Sequence, residues 1–561
     1  MTFDASMFAN FVAVSSPVHE RVSPSYTGIH ALFDIIVVGS GIGGGVLADD
    51  LADRSGDKKR ILVLEAGSYL YPTHVYNCSR MPNSTVAQRF GTSSFWQSGA
   101  EGTQYYIHER PQMNLGGRSI FWSGLIPTIQ DWELEFFPAR VRHDLKSGML
   151  EQAGAALNQS ITLGETAQKI VGKLRASALA EHFDIAETPR ALHQPYLRPN
   201  GTPAAELAAQ STGVFNTAEL LINQIGLSSN ENPGGDGSGL RLLLNHYVED
   251  IKRLDENRLE VLARNTLTGA PSYFQAATVV LACGAIESPK LLARSTIGRE
   301  LPAEVRSLVG LGLTDHPATN EILTTATHIG DVAIPKDTTA KIILYSRGKR
   351  DAGGQILYPF NVEMNVNHEY WHLRENDPAS PAVPIATTGA SIIDIKFSFG
   401  NCIDPMNEIR NCPPFGYVPE IVFRNQSWTD YLVASRLPAL AGWHKSDKEV
   451  FAVLNEVTHK IFDQFQHNGV ACEPVENRWY GEGGKGFGYG TVHHAIGTLR
   501  MPYKQWFGGP VLTESVVDED LRVRTVENLF VCDMSVMPFA SAANPVRTLA
   551  ALALRLSNRL G

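Results

Sequence analysis

At 561 residues the chain exceeds one simple domain and predicts two or three. Hydrophobic residues at 43% and charged residues at 19% describe a water-soluble globular protein with a large core. The net charge of −10 is spread without blocks of like charge, which argues against nucleic acid as a partner, since that needs clustered Lys and Arg.

The opening stretch, MTFDASMFANFVAVSSPVHERVSPSY, lacks both a basic start and a sustained apolar run, so it does not read as a signal peptide. Residues 1–29 are expected to be an N-terminal extension. No segment reaches the ~20 apolar residues of a membrane span, and a cytoplasmic protein is expected. The six cysteines (Cys78, Cys283, Cys402, Cys412, Cys472, Cys532) form no CxxC pair and suggest neither a disulfide framework nor a zinc site. Cys402 and Cys412 read as two unrelated thiols rather than a bridge.

The first strong signal begins at Phe33, in FDIIVVGSGIGGGVLADDLA. Ile35–Val38 is a continuous β-branched run and predicts a buried strand. It meets the G-x-G-x-x-G spacing at Gly39, Gly41 and Gly44 and passes into a helix rich in Ala and Leu. Glycine allows the tight turn at Gly39, the approach of a pyrophosphate at Gly41 and close helix–strand packing at Gly44. A second strand, RILVLEAG, ends at Glu65, 21 residues past Gly44. An acid there accepts hydrogen bonds from the ribose hydroxyls of an adenine dinucleotide and repels the extra phosphate of NADP.

Further strand-to-turn segments follow at 277–292 (ATVVLACGAIESPKLL) and at 527–545 (ENLFVCDMSVMPFASAANP), where a short buried strand delivers Asp533. A nucleotide domain gathered from the start, middle and end of a chain is a flavoprotein habit, which favours FAD over NAD. Between them, residues 365–377 (NVNHEYWHLREND) mix aromatic and polar groups in a way that suits a sugar. Residues 481–490 (GEGGKGFGYG) hold six glycines and predict a linker or a shielding loop. They lead into TVHHAIGTLRMP, where His493 and His494 stand side by side.

These segments resemble, in order and along nearly the whole chain, the glucose–methanol–choline (GMC) oxidoreductase family. GAIESPKLLARSTIG (284–298) is similar to its Gly-small-x-x-Ser-Pro-x-Leu-Leu signature, departing at Thr296, where the family usually has glycine. LGLTDHPA (311–318) resembles the segment that starts the return to the substrate domain, HAIGTLRM (494–501) the active-site His-x-x-Gly-Thr, and NPVRTLAALAL (544–554) its C-terminal partner. NLGGRSIFWSGLIP (114–127) looks closer to the pyranose-oxidase branch than to the common one. That branch carries flavin covalently on a histidine whose place is taken here by Phe121, which has no nitrogen to alkylate, so non-covalent FAD is expected. The resemblance implies cofactor contacts at Gly116, Gly117, Ser119, Ser123, Val248 and Asp533, besides Gly39, Gly41, Gly44 and Glu65.

Oxidising an alcohol with a flavin needs a base for the hydroxyl proton and a path for the hydride to N5. The family register places the base at His494, and in an extended segment His493 would point to the opposite face. Metal binding by the doublet is not expected, because adjacent histidines on a strand diverge and no further ligand has the right spacing. Asn544 occupies the family's partner position, where an amide can donate to the substrate oxygen; it also reads as an N-cap for the helix opening at Pro545.

The expected architecture is α/β. A Rossmann-like FAD-binding domain is gathered from roughly 30–130, 210–310 and 485–561, and an α+β substrate domain with a mixed or antiparallel sheet from 131–209 and 311–484. The expected function is oxidation of a CH–OH group to a carbonyl, on a sugar or glycoside ring hydroxyl, with oxygen or a quinone as acceptor. A non-sugar alcohol, or the family's lyase and photodecarboxylase chemistry, is the alternative. A homo-oligomer is compatible with the sequence.

Overall fold

The computed structural model describes residues 31–56, 58–69, 97–98, 112–160, 164–192, 213–231, 239–319, 322–336, 338–354, 356–367, 389–411, 419–422, 447–474, 493–504 and 511–561. The expected N-terminal extension, Cys78, Cys412, residues 368–377 and the glycine-rich stretch 481–490 lie outside the described residues. Cys283, Cys472 and Cys532 are unbridged thiols.

In chain order the elements that place the site are β1 (Ala31–Val38), α1 (Ile42–Ser55), β2 (Arg60–Leu64), α2 (Asp131–Leu134), β3 (Phe183–Glu187), α3 (Thr217–Glu231), β4 (Gly239–Leu243), β5 (His246–Asp255), β6 (Arg258–Asn265), β7 (Pro271–Leu281) and α4 (Gly284–Arg294). There follow β8 (Ile322–Ala326), β9 (Ala340–Ser346), β10 (Phe360–Val366), β11 (Ser391–Phe399), α5 (Asp447–Phe462), β12 (Leu529–Val531) and α6 (Val546–Leu560).

Seven strands form a mixed sheet in the order β4-β2-β1-β7-β6-β5, with β12 also on β7. The pairs β4/β2, β2/β1, β1/β7 and β7/β12 are parallel. Pro271–Ala276 of β7 pair antiparallel with β6, and Val279–Leu281 pair with β12. The three remote segments read as nucleotide-binding therefore meet on adjacent strands. Ile36, Val37, Ile61–Val63 and Val279–Leu281 are fully buried, as parallel strands covered on both faces require. Residues 131–157 also pack here: Trp132, Phe136, Val141 and Leu157 join the same core as β1 and α1.

The second sheet has five strands in the order β8-β11-β10-β9-β3, all antiparallel. Alternation along each strand sorts its two faces. Ile393, Ile395, Phe397 and Phe399 of β11, with Phe360, Val362 and Met364 of β10, fill a separate core against α5 residues such as Leu454 and Ile461. The other face carries Asn361, Glu363 and Asn365 of β10 and Asp394, Lys396 and Ser398 of β11. Among the described residues, no helix is long and apolar enough to cross a membrane.

Candidate active site

The turn between β1 and α1 is closed by backbone contact. Gly39 has φ +106°, and a Cβ there would lie 2.5 Å from the Ala282 carbonyl oxygen; one on Gly44 would lie 2.1 Å from the Gly39 oxygen. Gly41 differs, since a Cβ there would meet nothing within 4 Å. Gly41 is also the N-cap of α1 and offers no side-chain cap, so the first N–H groups of the helix face that open space. Residues built this way fit a dinucleotide pyrophosphate laid across Gly41.

Glu65 is buried, and its carboxylate accepts from the backbone N–H and the hydroxyl of Ser40 (3.1 and 2.6 Å) and from Gly67 N–H (2.9 Å). Burial raises its pKa against these hydrogen bonds. Gly116 N–H donates to Ser40 Oγ at 2.9 Å, so the β2 carboxylate and the 114–124 loop are locked through one serine. Ser119 Oγ donates to the Gly116 carbonyl and accepts from Thr217 N–H at 3.0 Å, which ties this loop to the start of α3. Gly117 faces Gly41 directly, its Cβ position 3.3 Å from Gly41 Cα. Next to Thr217, the buried Asn216 accepts from Glu219 N–H through Oδ1, while its Nδ2 has no partner among the described residues. That orphaned donor beside the cradle is a further group able to hold a cofactor.

Asp533 follows β12 and is buried. Oδ1 accepts from Ser535 N–H at 2.8 Å, and Oδ2 accepts from Gly284 N–H at 3.0 Å and from the Ser288 hydroxyl. Its carboxylate thus ties the start of α4 to the 533–536 turn. Val248 is buried on β5 beside a bulge. Phe121 and Ser123 are half-buried, and Trp122 Nε1 donates to the Phe215 carbonyl at 2.8 Å. Thr296, the departure from the family glycine, starts a short helix, and its N–H and hydroxyl both donate to the Asp250 carboxylate. The glycine this turn needs stands at Gly298, where a Cβ would lie 1.6 Å from the Leu292 oxygen.

His494 is half-buried and His493 exposed. The segment is not the extended strand that the sequence suggested: His493 has φ +62°, a left-handed conformation. Sequence reasoning missed His494's partner. His494 Nδ1 lies 2.8 Å from His316 Nε2, and His316 Nδ1 lies 2.8 Å from the Ser541 carbonyl oxygen. That carbonyl can only accept, so His316 Nδ1 carries a hydrogen. Burial pushes the His316 pKa down to about 4, so at neutral pH its Nε2 is bare. His494 Nδ1 must then be the donor. Burial first, then His316, Lys396, His493 and Arg118, hold His494 well below the usual histidine range, so its Nε2 is an unprotonated acceptor. The tautomers follow from the one fixed acceptor at the end of the chain.

His316 owes its place to a short segment that bridges two neighbours. Thr314 pairs with Ile496 and Ala318 with Ser398 of β11. Asn544 lies three residues past Ser541, so His494 is two hydrogen bonds from the loop carrying Asn544. The C-terminal helix begins at Val546 with Pro545 as its N-cap, so Asn544 is not the cap that the sequence suggested. Two charges also reach His494: Arg118 from the 114–124 loop and Lys396 from the polar face of β11. The LTDHPA motif contained the signal for His316, whereas Lys396 stands in no motif.

Two sequence profiles described as GMC oxidoreductase match the chain, the N-terminal one over residues 235–318 and the C-terminal one over 442–553. No curated protein matches it. Among solved structures, pyridoxine 4-oxidase from Mesorbium loti superposes with a TM-score of 0.55 at 17% identity, covering 94% of this chain and 99% of its own. That likeness establishes the shared fold.

Proposed function

The chain belongs to the GMC oxidoreductase family and is an FAD-dependent alcohol oxidoreductase, and from that premise we propose how its residues divide the work. FAD, when bound, supplies the hydride acceptor at N5. The cradle at Gly39, Gly41 and Gly44, with Glu65, Gly116, Gly117, Ser119, Ser123, Val248 and Asp533 around it, is the set that holds it. Phe121 leaves no nitrogen for a covalent link, so FAD is held non-covalently; flavin fluorescence in a denaturing gel band would overturn this.

His494 Nε2 takes the proton from the substrate hydroxyl. The observation that carries this role is the hydrogen-bonded chain from the Ser541 carbonyl through His316, which leaves Nε2 as the one bare nitrogen of His494. Asn544 donates to the substrate oxygen and stabilises the negative charge that develops there as the proton leaves. Arg118 adds positive charge on the cofactor side of His494.

For the substrate, a ring hydroxyl of a sugar or glycoside is the reading we favour. Its support is the polar face of the second sheet, where Glu363, Asn365 and Lys396 offer donors and acceptors and Lys396 acts on both histidines. The test is an anaerobic panel of sugars, glycosides and simple alcohols scored by flavin bleaching, followed by re-oxidation with air or a quinone to identify the acceptor. With the best substrate, His494→Ala should slow flavin reduction by roughly 10²–10⁴-fold. Unchanged reduction would remove His494 from the role, and a flavin that no alcohol bleaches would point to the family's non-redox chemistry.

A further inference from the structure

Glu133 is the third residue of α2 and is completely buried. Its Oε1 accepts the backbone N–H of Ala542, and its Oε2 accepts that of Gln130 at 3.0 Å. Among the described residues it forms no ion pair. The second bond is an ordinary capping box at a helix N-terminus, a task that glutamine performs equally well. A carboxylate buried without a cation opposes folding, so capping alone gives no reason for the charge.

The first bond leads elsewhere. Ser541 C=O and Ala542 N–H belong to one peptide group. Its oxygen accepts from His316 Nδ1, and its N–H donates to Glu133. The chain of hydrogen bonds from Glu133 to the base is therefore continuous, running through that peptide, His316 and His494 Nδ1. We propose that Glu133 is a positioning residue that sets the orientation and basicity of His494 by polarising the Ser541–Ala542 peptide. Negative charge at the N–H enriches the carbonyl oxygen, which strengthens its bond to His316 and in turn makes His316 Nε2 a better acceptor for His494. The inference rests on His494 as the base.

The titratable groups packed around Glu133 do not compete with it near neutrality. Burial pushes Tyr345 of β9 up to about 12, with Glu133 and Glu363 of β10 adding to the rise and the Thr128 N–H and Arg547 of α6 opposing it, while burial holds His316 down at about 4. Burial raises Glu133 itself to about 7, against the hydrogen bonds from Gln130 and Ala542. Above that pH the charge is present and the relay is polarised; below it the relay weakens.

The test compares holoenzyme of the wild type, Glu133→Gln and Glu133→Asp from about pH 6 to about pH 9. One readout needs no substrate: the flavin absorption band of the oxidised protein, which responds to the polarisation of the neutral His494 imidazole as Glu133 gains its charge. The other is the rate of anaerobic flavin reduction by the alcohol that bleaches best. The wild type should show a transition near pH 7 in both, with faster reduction on the alkaline side. E133Q should lose the transition and, above it, reduce about tenfold more slowly, the effect of one pKa unit on the base. E133D, which keeps the charge, should recover part of both. An E133Q protein with the wild-type transition and rate would overturn the proposal. So would a loss in E133Q that follows FAD content, keeps the pH profile and is not rescued by E133D, since Glu133 would then only hold the Ala542 segment in place. If no alcohol bleaches the flavin, the oxidoreductase reading has failed, and the band titration still decides the role of Glu133.

Discussion

His316 offers the sharpest test of the relay, because it touches neither the nucleotide cradle nor the reacting atoms. Replacing it with leucine fills similar space but leaves two groups without partners: the Ser541 carbonyl and the Nδ1–H of His494. An unpaired buried donor costs about 1–3 kcal/mol. With no acceptor at Nδ1, that cost falls on the productive tautomer alone, and the proton moves to Nε2, where the base must be bare. Tenfold in rate corresponds to about 1.4 kcal/mol, so His316→Leu should slow flavin reduction by about 5–150-fold. His316→Gln can again accept from His494 and should recover part of the loss. Anaerobic stopped-flow is the assay, with FAD content measured alongside. The expected pattern is a fall in kcat with FAD retained and KM little changed. The pH dependence has a definite sign. His494 works unprotonated and is held well below the usual histidine range, so its own protonation does not limit the rate near pH 7. Reduction by H316L at the wild-type rate would refute the tautomer argument.

Two glycine variants separate the fold of the cradle from its use. Gly44→Ala would set a Cβ 2.1 Å from the Gly39 oxygen and should give little folded protein, whereas Gly41→Ala meets nothing in the protein and should fold with an unchanged melting curve. FAD titration should then show G41A binding more weakly by at least tenfold, about 1.4 kcal/mol, because the methyl occupies the space of the pyrophosphate; wild-type affinity in G41A would mean that the cofactor does not cross Gly41.

The parts of this protein that were legible in the sequence are those encoded over short spans. A β-branched run, a glycine turn and an acid at the next strand end define β1, α1 and β2 without reference to anything distant. The Gly497-Thr498 register puts His494 forward over His493 as the base, and the extended conformation expected for the pair does not hold at His493. What stayed hidden depends on pairing across long separations. His316 sits in a recognised motif, yet its role arises only because Thr314 and Ala318 pair with Ile496 and Ser398. Glu133 lies 409 residues from Ala542, and no periodicity in DWEL indicates that its third residue will hold the far end of the chain. Asn544 was ambiguous for the opposite reason: Asn-Pro is a strong local helix start, and only the observed N-cap at Pro545 frees its side chain from that task.

The site therefore draws on two sheets with different jobs. The 494–501 segment is pinned to the 533–536 turn by Leu499 N–H to Ser535 and Met501 N–H to Val536 (2.9 and 3.0 Å), and that turn is fixed by Asp533, which also holds α4. His494, the proposed base, is thus mounted on the same framework as the glycine turn between β1 and α1. His316 comes from a segment also paired to β11, so the second sheet reaches the base through one imidazole, while its polar face around Lys396 is free of any part in that hydrogen-bonded chain. On the proposed reading, substitution of Glu363 changes which alcohol is accepted without changing how its proton is taken, whereas loss of the Lys396 charge also raises the basicity of His494 and His316. Changes at His316, Ser541 or Glu133 act on the proton whatever the alcohol. On this arrangement substrate choice and proton transfer meet at two points, the His316 imidazole and the charge of Lys396, and the rest of the polar face is free to vary with the alcohol.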